Sequence, residues 1–531
     1  MNRRTPRFLY SRFTIYDLRF TIYHPLVNLV EYIFQAAERK DRWRELAISC
    51  EDRSITYEQL LQLVRKCCGM IRALGVRPGE RVALVAADCP EWIISFLGIT
   101  AAGAVAVPAS TMLTAAELQY VLEHSGARLL VITTEQVSKI QSIRSDLPQL
   151  ENILLIDADA DAVLDFNRTL DGADEAEIES VSDEALAFIL YTSGSTGQPK
   201  GAMHIHRNLP YTVEYCCRHV LQVAPGDRLF SSSRLFFAYG LGNSLSFPLG
   251  SGATTLLCRE RPTPMVIARI FRQQHPTIFF GVPAVFRALL EYASQGEKLE
   301  TDSIKFCVSA GEKLPEKIFH EWKELTGLDI LDGIGSTEML QMFITNSRDR
   351  IVPGSSGRVV PGYEAKLVNH KGLEIAGAGT GHLWIKGGSA SPGYWNDPLK
   401  TAATMQDGWM RTGDLYRRDH EGNYWFEGRT DDLFKVKGLW VSPIEVEEAL
   451  LACDGVIEAA VVPGVNRDGM NTVAAHVVMR SQDLPETETI EKLRSEIGRR
   501  LPPYKCPSEI YLASELPRTA TGKLQRFKLR G

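Results

Sequence analysis

Residues 191–201 read Tyr-Thr-Ser-Gly-Ser-Thr-Gly-Gln-Pro-Lys-Gly, and no other stretch limits the architecture of the chain so strongly. An apolar run over 185–190 precedes them and reads as a buried strand, and the spacing beyond them predicts a helix over 206–221. Strand, small-residue loop and helix start would aim backbone N–H groups at a bound phosphate. Gly194 and Gly197 let the backbone close around an anion, Ser193, Ser195 and Thr196 add hydroxyls, and Lys200 adds a positive charge. The loop is not a Walker A, which needs Lys directly after its second Gly; here Gln198 and Pro199 intervene. A flexible Gly/Ser linker has similar composition, but needs neither an apolar strand before it nor Pro and Lys at its end.

A chain of 531 residues holds roughly three to four domain-sized units. Its net charge of −6, with no basic block, argues against nucleic acid or an anionic membrane as the main partner. The ten cysteines form no C-x-x-C pair and no ligand spacing with His, so buried thiols in a reducing cytoplasm fit better than disulfides or zinc. Two adjacent pairs, Cys67-Cys68 and Cys216-Cys217, fall in helix-like segments. His204 and His206, with no acidic or Cys ligand nearby, read as ordinary polar residues beside the loop. The apolar run over 92–110 nearly has the length of a membrane span, but Gly98, Gly103 and Pro108 break it into a helix and a strand over 104–107. Near the start, Phe13-Thr-Ile-Tyr-Asp is echoed by Phe20-Thr-Ile-Tyr-His, with neither signal-peptide core nor cleavage site, so the cytoplasm is the default location.

From Leu29 onward, helical and strand patterns alternate. Capping boxes at Thr56/Gln59 and Thr114/Glu117 open helices. Short apolar strands are expected over 81–87, 129–133, 152–156, 253–257, 277–280 and 305–309. The pattern predicts an α/β fold of mostly parallel strands buried on both faces. Near 429 it changes: Gly428-Arg-Thr-Asp-Asp432 is turn-like, and Ser442/Glu445 with Pro443 reads as a capping box starting a helix to Leu451. Strands over 456–462, 472–479 and 509–512 and a helix over 490–499 complete a small α+β unit. The division is an extension outside the fold at 1–25, a large domain at 26–428, a hinge at 429–432 and a small mobile domain at 433–531.

Further motifs follow in order: Ser309-Ala-Gly-Glu-Lys313, Asp332-Gly-Ile-Gly-Ser-Thr-Glu338, Thr412-Gly-Asp414, the run from Gly428 to Gly438, and Pro517-Arg-Thr-Ala-Thr-Gly-Lys523. With the phosphate loop they resemble the adenylate-forming superfamily of acyl-CoA synthetases, adenylation domains and luciferases, over nearly the whole chain after residue 29. A carboxylate is a poor electrophile, so activating it on an α-phosphate calls for phosphate donors, a divalent ion and a lysine where charge develops. The resemblance implies ATP, Mg²⁺ and coenzyme A. It assigns the phosphates to Thr192, Ser193, Gly194, Ser195, Thr196, Gly197 and Lys200, with Thr337 also on phosphate and Glu338 on the metal. Gly311, Glu312 and Lys313 with Asp332, Gly333 and Ile334 would form the adenine slot, Asp414 would accept the ribose hydroxyls, and Arg429 would support ribose or phosphate. Lys523 matches the adenylation lysine and Asp431 the hinge aspartate, while Lys437, Gly438 and Trp440 would line the path of the CoA thiol after the small domain swings.

Within the superfamily, residues 235–243 (Leu-Phe-Phe-Ala-Tyr-Gly-Leu-Gly-Asn) resemble the benzoate- and hydroxybenzoate-CoA ligases, as do residues 260–264 and 332–340. Phe237, Ala238, Tyr239 and Gly240 would face the substrate ring, with Ile334 and Gly335 opposite, and Phe236 reads as a core aromatic. Small residues at 238, 240 and 335 would leave a flat slot suited to an aryl acid. One position departs: Gln341 stands where that subfamily carries His. Gln can hydrogen-bond a ring substituent but carries no proton charge, so benzoate, hydroxybenzoates and aminobenzoates all stay open. The expected activity is AMP-forming ligation of an aromatic acid to CoA, by a monomer or homodimer whose partners are small molecules. The alternatives are a medium-chain or other acyl-CoA ligase, a stand-alone enzyme loading a carrier-protein thiol, and a non-catalytic nucleotide-binding regulator. The last would be expected to lose Lys523, Glu338 or Asp431, and all three are present.

Overall fold

The apolar runs of the first half become the strands of two sheets. The computed structural model describes residues 28–39, 41–51, 53–157, 164–192, 199–466, 470–480, 484–518 and 524–530. The proposed extension at 1–25 therefore lies outside the described residues. Among these residues one sheet has six strands, in the order Asn152–Ile156, Leu129–Thr133, Arg81–Val85, Val105–Pro108, Leu186–Thr192 and Lys200–Ile205. Its first five strands run parallel. The other has nine, in the order Arg53–Thr56, Leu46–Cys50, Thr254–Leu257, Arg228–Ser231, Ile278–Gly281, Phe306–Ser309, Ile330–Gly335, Met342–Thr345 and Arg358–Val359. It is parallel in the middle and antiparallel at both edges. Leu129–Thr133 and Phe306–Ser309 are buried at every position, which is why these strands read as continuous apolar runs and not as alternating ones.

Helix Pro90–Ala101 is buried along its whole length and is apolar all round, as a helix in the middle of a protein must be. Trp92 stacks on Phe96 at 5.5 Å, and Phe96 meets Phe188 of the six-stranded sheet at 5.4 Å. Burying each such ring contributes about 2 kcal/mol, so this helix anchors the strand that leads into residues 193–199. The helix is followed by strand Val105–Pro108, as the broken apolar run predicts. No helix among the described residues is long and apolar enough to cross a membrane. Every one of the ten cysteines is a free thiol, and nine are buried.

Three expectations change. First, Lys200–Ile205 is a strand paired antiparallel with Leu186–Thr192, from Leu186↔Ile205 to Thr192↔Lys200. A strand thus stands where a helix start was expected, and the helical run begins only at Asn208. Second, an antiparallel five-stranded sheet fills 364–429, built from Glu364–Val368, Gly379–Lys386, Met405–Gln406, Trp409–Arg418 and Tyr424–Arg429. The change of pattern begins well before 429. Third, Thr56 and Thr114 form their capping boxes, but Ser442 does not. Its hydroxyl donates instead to the Glu427 carbonyl at 2.6 Å, and Glu445 pairs with Lys505.

Beyond Asp432 the chain has a core of its own. Hairpin Phe434–Val436/Leu439–Val441, helices Pro443–Leu451 and Glu486–Gly498, and strands Val456–Val465, Asn471–Met479 and Glu509–Leu512 enclose Val446, Leu450, Val461, Val477, Leu493 and Ile497. Buried Glu447 accepts from Arg526 at 2.7 Å and from the Val461 amide at 2.8 Å, tying the chain's last turn to this core.

Candidate active site

The two large sheets meet through the tips of two hairpins. Lys200 opens the second strand of one, and Thr337 and Glu338 lie in the connection between Ile330–Gly335 and Met342–Thr345 of the other. Lys200 Nζ donates to Glu338 Oε1 at 2.8 Å and to the Tyr394 hydroxyl at 2.6 Å, and that hydroxyl donates to the same carboxylate oxygen at 2.6 Å. The ammonium also lies 4.3 Å from the centre of the Tyr394 ring. Burial would raise the Glu338 pKa, but the Lys200 charge and the hydrogen bonds from Lys200 and Tyr394 outweigh it and hold the carboxyl down at about 2. The residue missing from the sequence reading is Tyr394. It reaches Lys200 because 393–395 run beside the hairpin: Met203 N–H donates to the Gly393 carbonyl at 3.0 Å, and Trp395 N–H to Gly201 at 2.8 Å. Its only sequence signal is an aromatic pair in the Gly/Pro-punctuated stretch 391–395.

His204 and His206 are buried beside this corner and hydrogen-bond to backbone groups. The buried His204 ring donates from Nε2 to the Thr337 carbonyl at 2.9 Å and stacks on Phe188. His206 Nδ1 accepts from the Leu29 amide at 3.1 Å. Burial pushes both rings down to about 4, so they are neutral at physiological pH.

Residues 311–313 follow the carboxyl end of strand Phe306–Ser309, and 332–334 lie in the second half of the neighbouring strand, which runs on past it from the pair Ser309↔Asp332. That is where ligands bind in open α/β sheets. Gly311 has φ +96°, a conformation that favours glycine. Asp332 is buried, and burial pushes its carboxyl up to about 8, with the Leu314 amide near its Oδ2. Its backbone carbonyl accepts from the amide and side chain of Asn346 at 2.9 and 3.0 Å. Asp414 and Arg429 are register partners on adjacent strands and pair at 2.8 Å. Thr412 holds the turn before them by accepting from the Asp414 amide at 3.1 Å.

The aryl segment is anchored by groups the sequence did not flag. The Leu235 amide donates to Asp88 at 3.1 Å, and Arg234 donates to the Cys258 carbonyl at 2.6 Å. Phe236 is core, as expected. Helix Ala238–Leu241 runs into a π-helical turn, Gly242–Ser246, a form often found at functional sites. Gly240 and Gly335 are also required to be small by neighbouring backbone. A Cβ on Gly240 would lie 2.0 Å from the Arg234 carbonyl oxygen, and one on Gly335 2.6 Å from that of Gln341. Gln341 is buried with its amide committed inside the protein: Oε1 accepts from Met342 N–H at 3.0 Å, and Nε2 donates to Asn243 at 3.3 Å.

Some expected residues are not gathered here. Ser193, Gly194, Ser195, Thr196, Gly197 and Lys523 lie outside the described residues, as does the side chain of Trp440. Lys437 and Gly438, with φ of +51° and +81°, form the exposed two-residue turn of the hairpin, which by itself calls for glycine. Asp431 is exposed in the short turn Thr430–Asp432, whereas its neighbour Asp432 is held by Arg526 and Arg530.

Residues 34–395 match the family described as AMP-binding enzyme, and residues 445–523 its C-terminal domain. The chain is 41% identical over 480 residues to benzoate–CoA ligase of Thauera aromatica, covering 90% of each protein. It is 38% identical over 491 residues to the 4-hydroxybenzoate–CoA/benzoate–CoA ligase of Rhodopseudomonas palustris, covering 92% of this chain and 91% of that one. Among solved structures, a benzoate CoA ligase from Burkholderia xenovorans superposes with a TM-score of 0.88 at 38% identity, over 95% of this chain and all of the other. An anthranilate CoA ligase in complex with anthranoyl-AMP gives 0.90 at 36%, over 96% and 97%. Fold, order of site residues and likeness along the chain agree: this protein belongs to the AMP-binding enzyme family of adenylate-forming ligases.

Proposed function

We propose that the protein joins an aromatic carboxylic acid to coenzyme A in two steps, through an acyl-adenylate formed from ATP with release of pyrophosphate. The observation that carries this reading is the Lys200–Glu338–Tyr394 cluster, accompanied by the Asp414–Arg429 pair on adjacent strands of the antiparallel sheet. Before nucleotide arrives, Lys200 and Glu338 neutralise each other. With nucleotide bound, Lys200 would face phosphate oxygens, and the carboxylate, held anionic, would be the residue to hold a divalent ion. A single carboxylate suits Mg²⁺, which is held largely by phosphates and water, and no group of three or more His, Cys, Asp or Glu side chains that could hold a metal occurs among the described residues. When bound, that ion would neutralise charge developing on the phosphates.

Thr192, residues 193–197 and Thr337 would hold the phosphates; Asp414 and Arg429 the ribose; and 311–313 with 332–334 the adenine. Lys523 would place its ammonium on the charge that builds as the acid's oxygen attacks the α-phosphate. Phe237, Ala238, Tyr239, Gly240, Ile334, Gly335 and Gln341 would enclose the ring. A swing of the small lobe about Asp431 would then bring Lys437, Gly438 and Trp440 to the adenylate, where the CoA thiol displaces AMP. Ten free thiols agree with a reducing cytoplasm.

A pyrophosphate-release panel of benzoate, hydroxybenzoates, 2-aminobenzoate and octanoate, with CoA, with carrier protein and with neither, tests this reading. Aryl acids should lead and should yield CoA thioesters. Octanoate outrunning every aryl acid, or transfer to carrier protein alone, would overturn it. The likeness to an anthranilate CoA ligase favours 2-aminobenzoate as a second reading within the panel. Lys523→Ala should abolish adenylate formation yet leave thioester formation from supplied adenylate largely intact; equal loss of both steps would refute the swing.

A further inference from the structure

Glu312 and Lys313 are neighbours of opposite charge on the large lobe, and each reaches an opposite charge on the small one. Glu312 accepts from Arg518 at 3.4 Å and from the Leu524 amide at 3.3 Å; Lys313 pairs with Glu448. Arg518 also donates to Glu458 at 2.8 Å. Glu458 in turn pairs with Arg287 of helix Pro283–Ser294, whose guanidinium donates to the Ile457 carbonyl at 3.0 Å. Arg518 and Leu524 face each other across an antiparallel bridge, so both ends of the segment 519–523 are fastened to Glu312.

We propose that this alternating line of charges, Arg287, Glu458, Arg518 and Glu312, is the latch that docks the small lobe for acyl-adenylate formation, with Arg287 and Glu458 as positioning residues. The proposal rests on the two-step ligase reading above. All four side chains are less than a third exposed, so their attraction is only partly screened. Arg287–Glu458 and Glu312–Arg518 cross between the lobes and break if the small lobe turns away, while Arg518–Glu458 lies within the small lobe and joins the two crossings. The latch therefore favours one arrangement alone, and only the step that uses that arrangement gains. Neither Arg287 nor Glu458 contacts Lys200, Glu338, Asp414 or Arg429, so a change at either reaches the chemistry only through the position of the lobe.

The test uses the full-length protein and whichever acid leads the panel. ATP–pyrophosphate exchange reads the first step, and thioester formation from CoA and the synthetic adenylate of that acid reads the second. Arg287→Met and Glu458→Gln should each lower exchange about tenfold and leave the second step unchanged or faster. Arg287→Lys, which keeps the charge, should retain most of the exchange. Equal loss in both steps, or exchange at the wild-type level in both variants, would overturn the latch. If the leading acid is not aromatic, the aryl reading fails while the comparison of the two steps still judges the latch.

Discussion

The Tyr394 hydroxyl and Lys200 Nζ lie 2.6 Å apart, and both donate to one oxygen of Glu338. The hydroxyl thus relays between a cation and an anion. Tyr394→Phe removes two charge-assisted hydrogen bonds and leaves the ring under the ammonium. Adenylate formation should slow roughly tenfold, about 1.5 kcal/mol, with the KM for ATP affected more than that for the acid. Pyrophosphate exchange with each substrate varied in turn measures this.

Asp332 makes stability fall as pH rises. Its folded pKa, raised by burial to about 8, lies above the unfolded value of 3.8. Between those values the folded state binds more protons than the unfolded one, so ionisation favours unfolding across that window. Asp332→Asn should remove this component. Urea midpoints of the two proteins should converge near pH 4 and separate toward pH 8, with the variant ahead.

His206 acts at the other end of the scale. Its Nδ1 accepts the Leu29 amide only when unprotonated, and burial lowers its pKa from 6.5 to about 4. Between those values the unfolded state binds the extra proton, so stability is lost as pH falls from 6.5 to 4, by on the order of 3 kcal/mol. His206→Gln keeps an acceptor without the titration, and its melting temperature should fall less steeply over that range.

Gly240 tests whether the aryl segment is shaped by packing. Gly240→Ala drives a Cβ into the carbonyls of Arg234 and Ser233, at 2.0 and 2.6 Å. The backbone must shift, at about 2 kcal/mol of stability. The KM for the acid should rise at least tenfold while that for ATP holds, readable by steady-state kinetics beside a chemical melt.

Much of this was legible in the chain. Leu129–Thr133 and Asn152–Ile156 fall where their apolar runs put them, because strands packed within a sheet between helices are written as nearly continuous hydrophobic runs. Thr56 and Thr114 cap their helices because the capping box is a local, self-contained exchange of hydrogen bonds. What escaped was decided at a distance. Lys200–Ile205 is a strand because Leu186–Thr192 lies beside it, and six residues cannot declare a partner. Tyr394 joins Lys200 across 194 positions, through pairing that no local pattern records. Gly240 and Gly335 looked like room for a ligand, and neighbouring backbone also requires them to be small.

Ser442 carries a consequence for the linker it stands beside. Its hydroxyl is spent on the Glu427 carbonyl, on the far side of Thr430–Asp432, while the first turn of its own helix goes without a side-chain cap. If the small lobe rotated, that bond would be lost, and the hydroxyl could turn to accept from the helix's first amides. A single side chain would then have a partner on either side of the pivot, which would narrow the energy gap between the two forms.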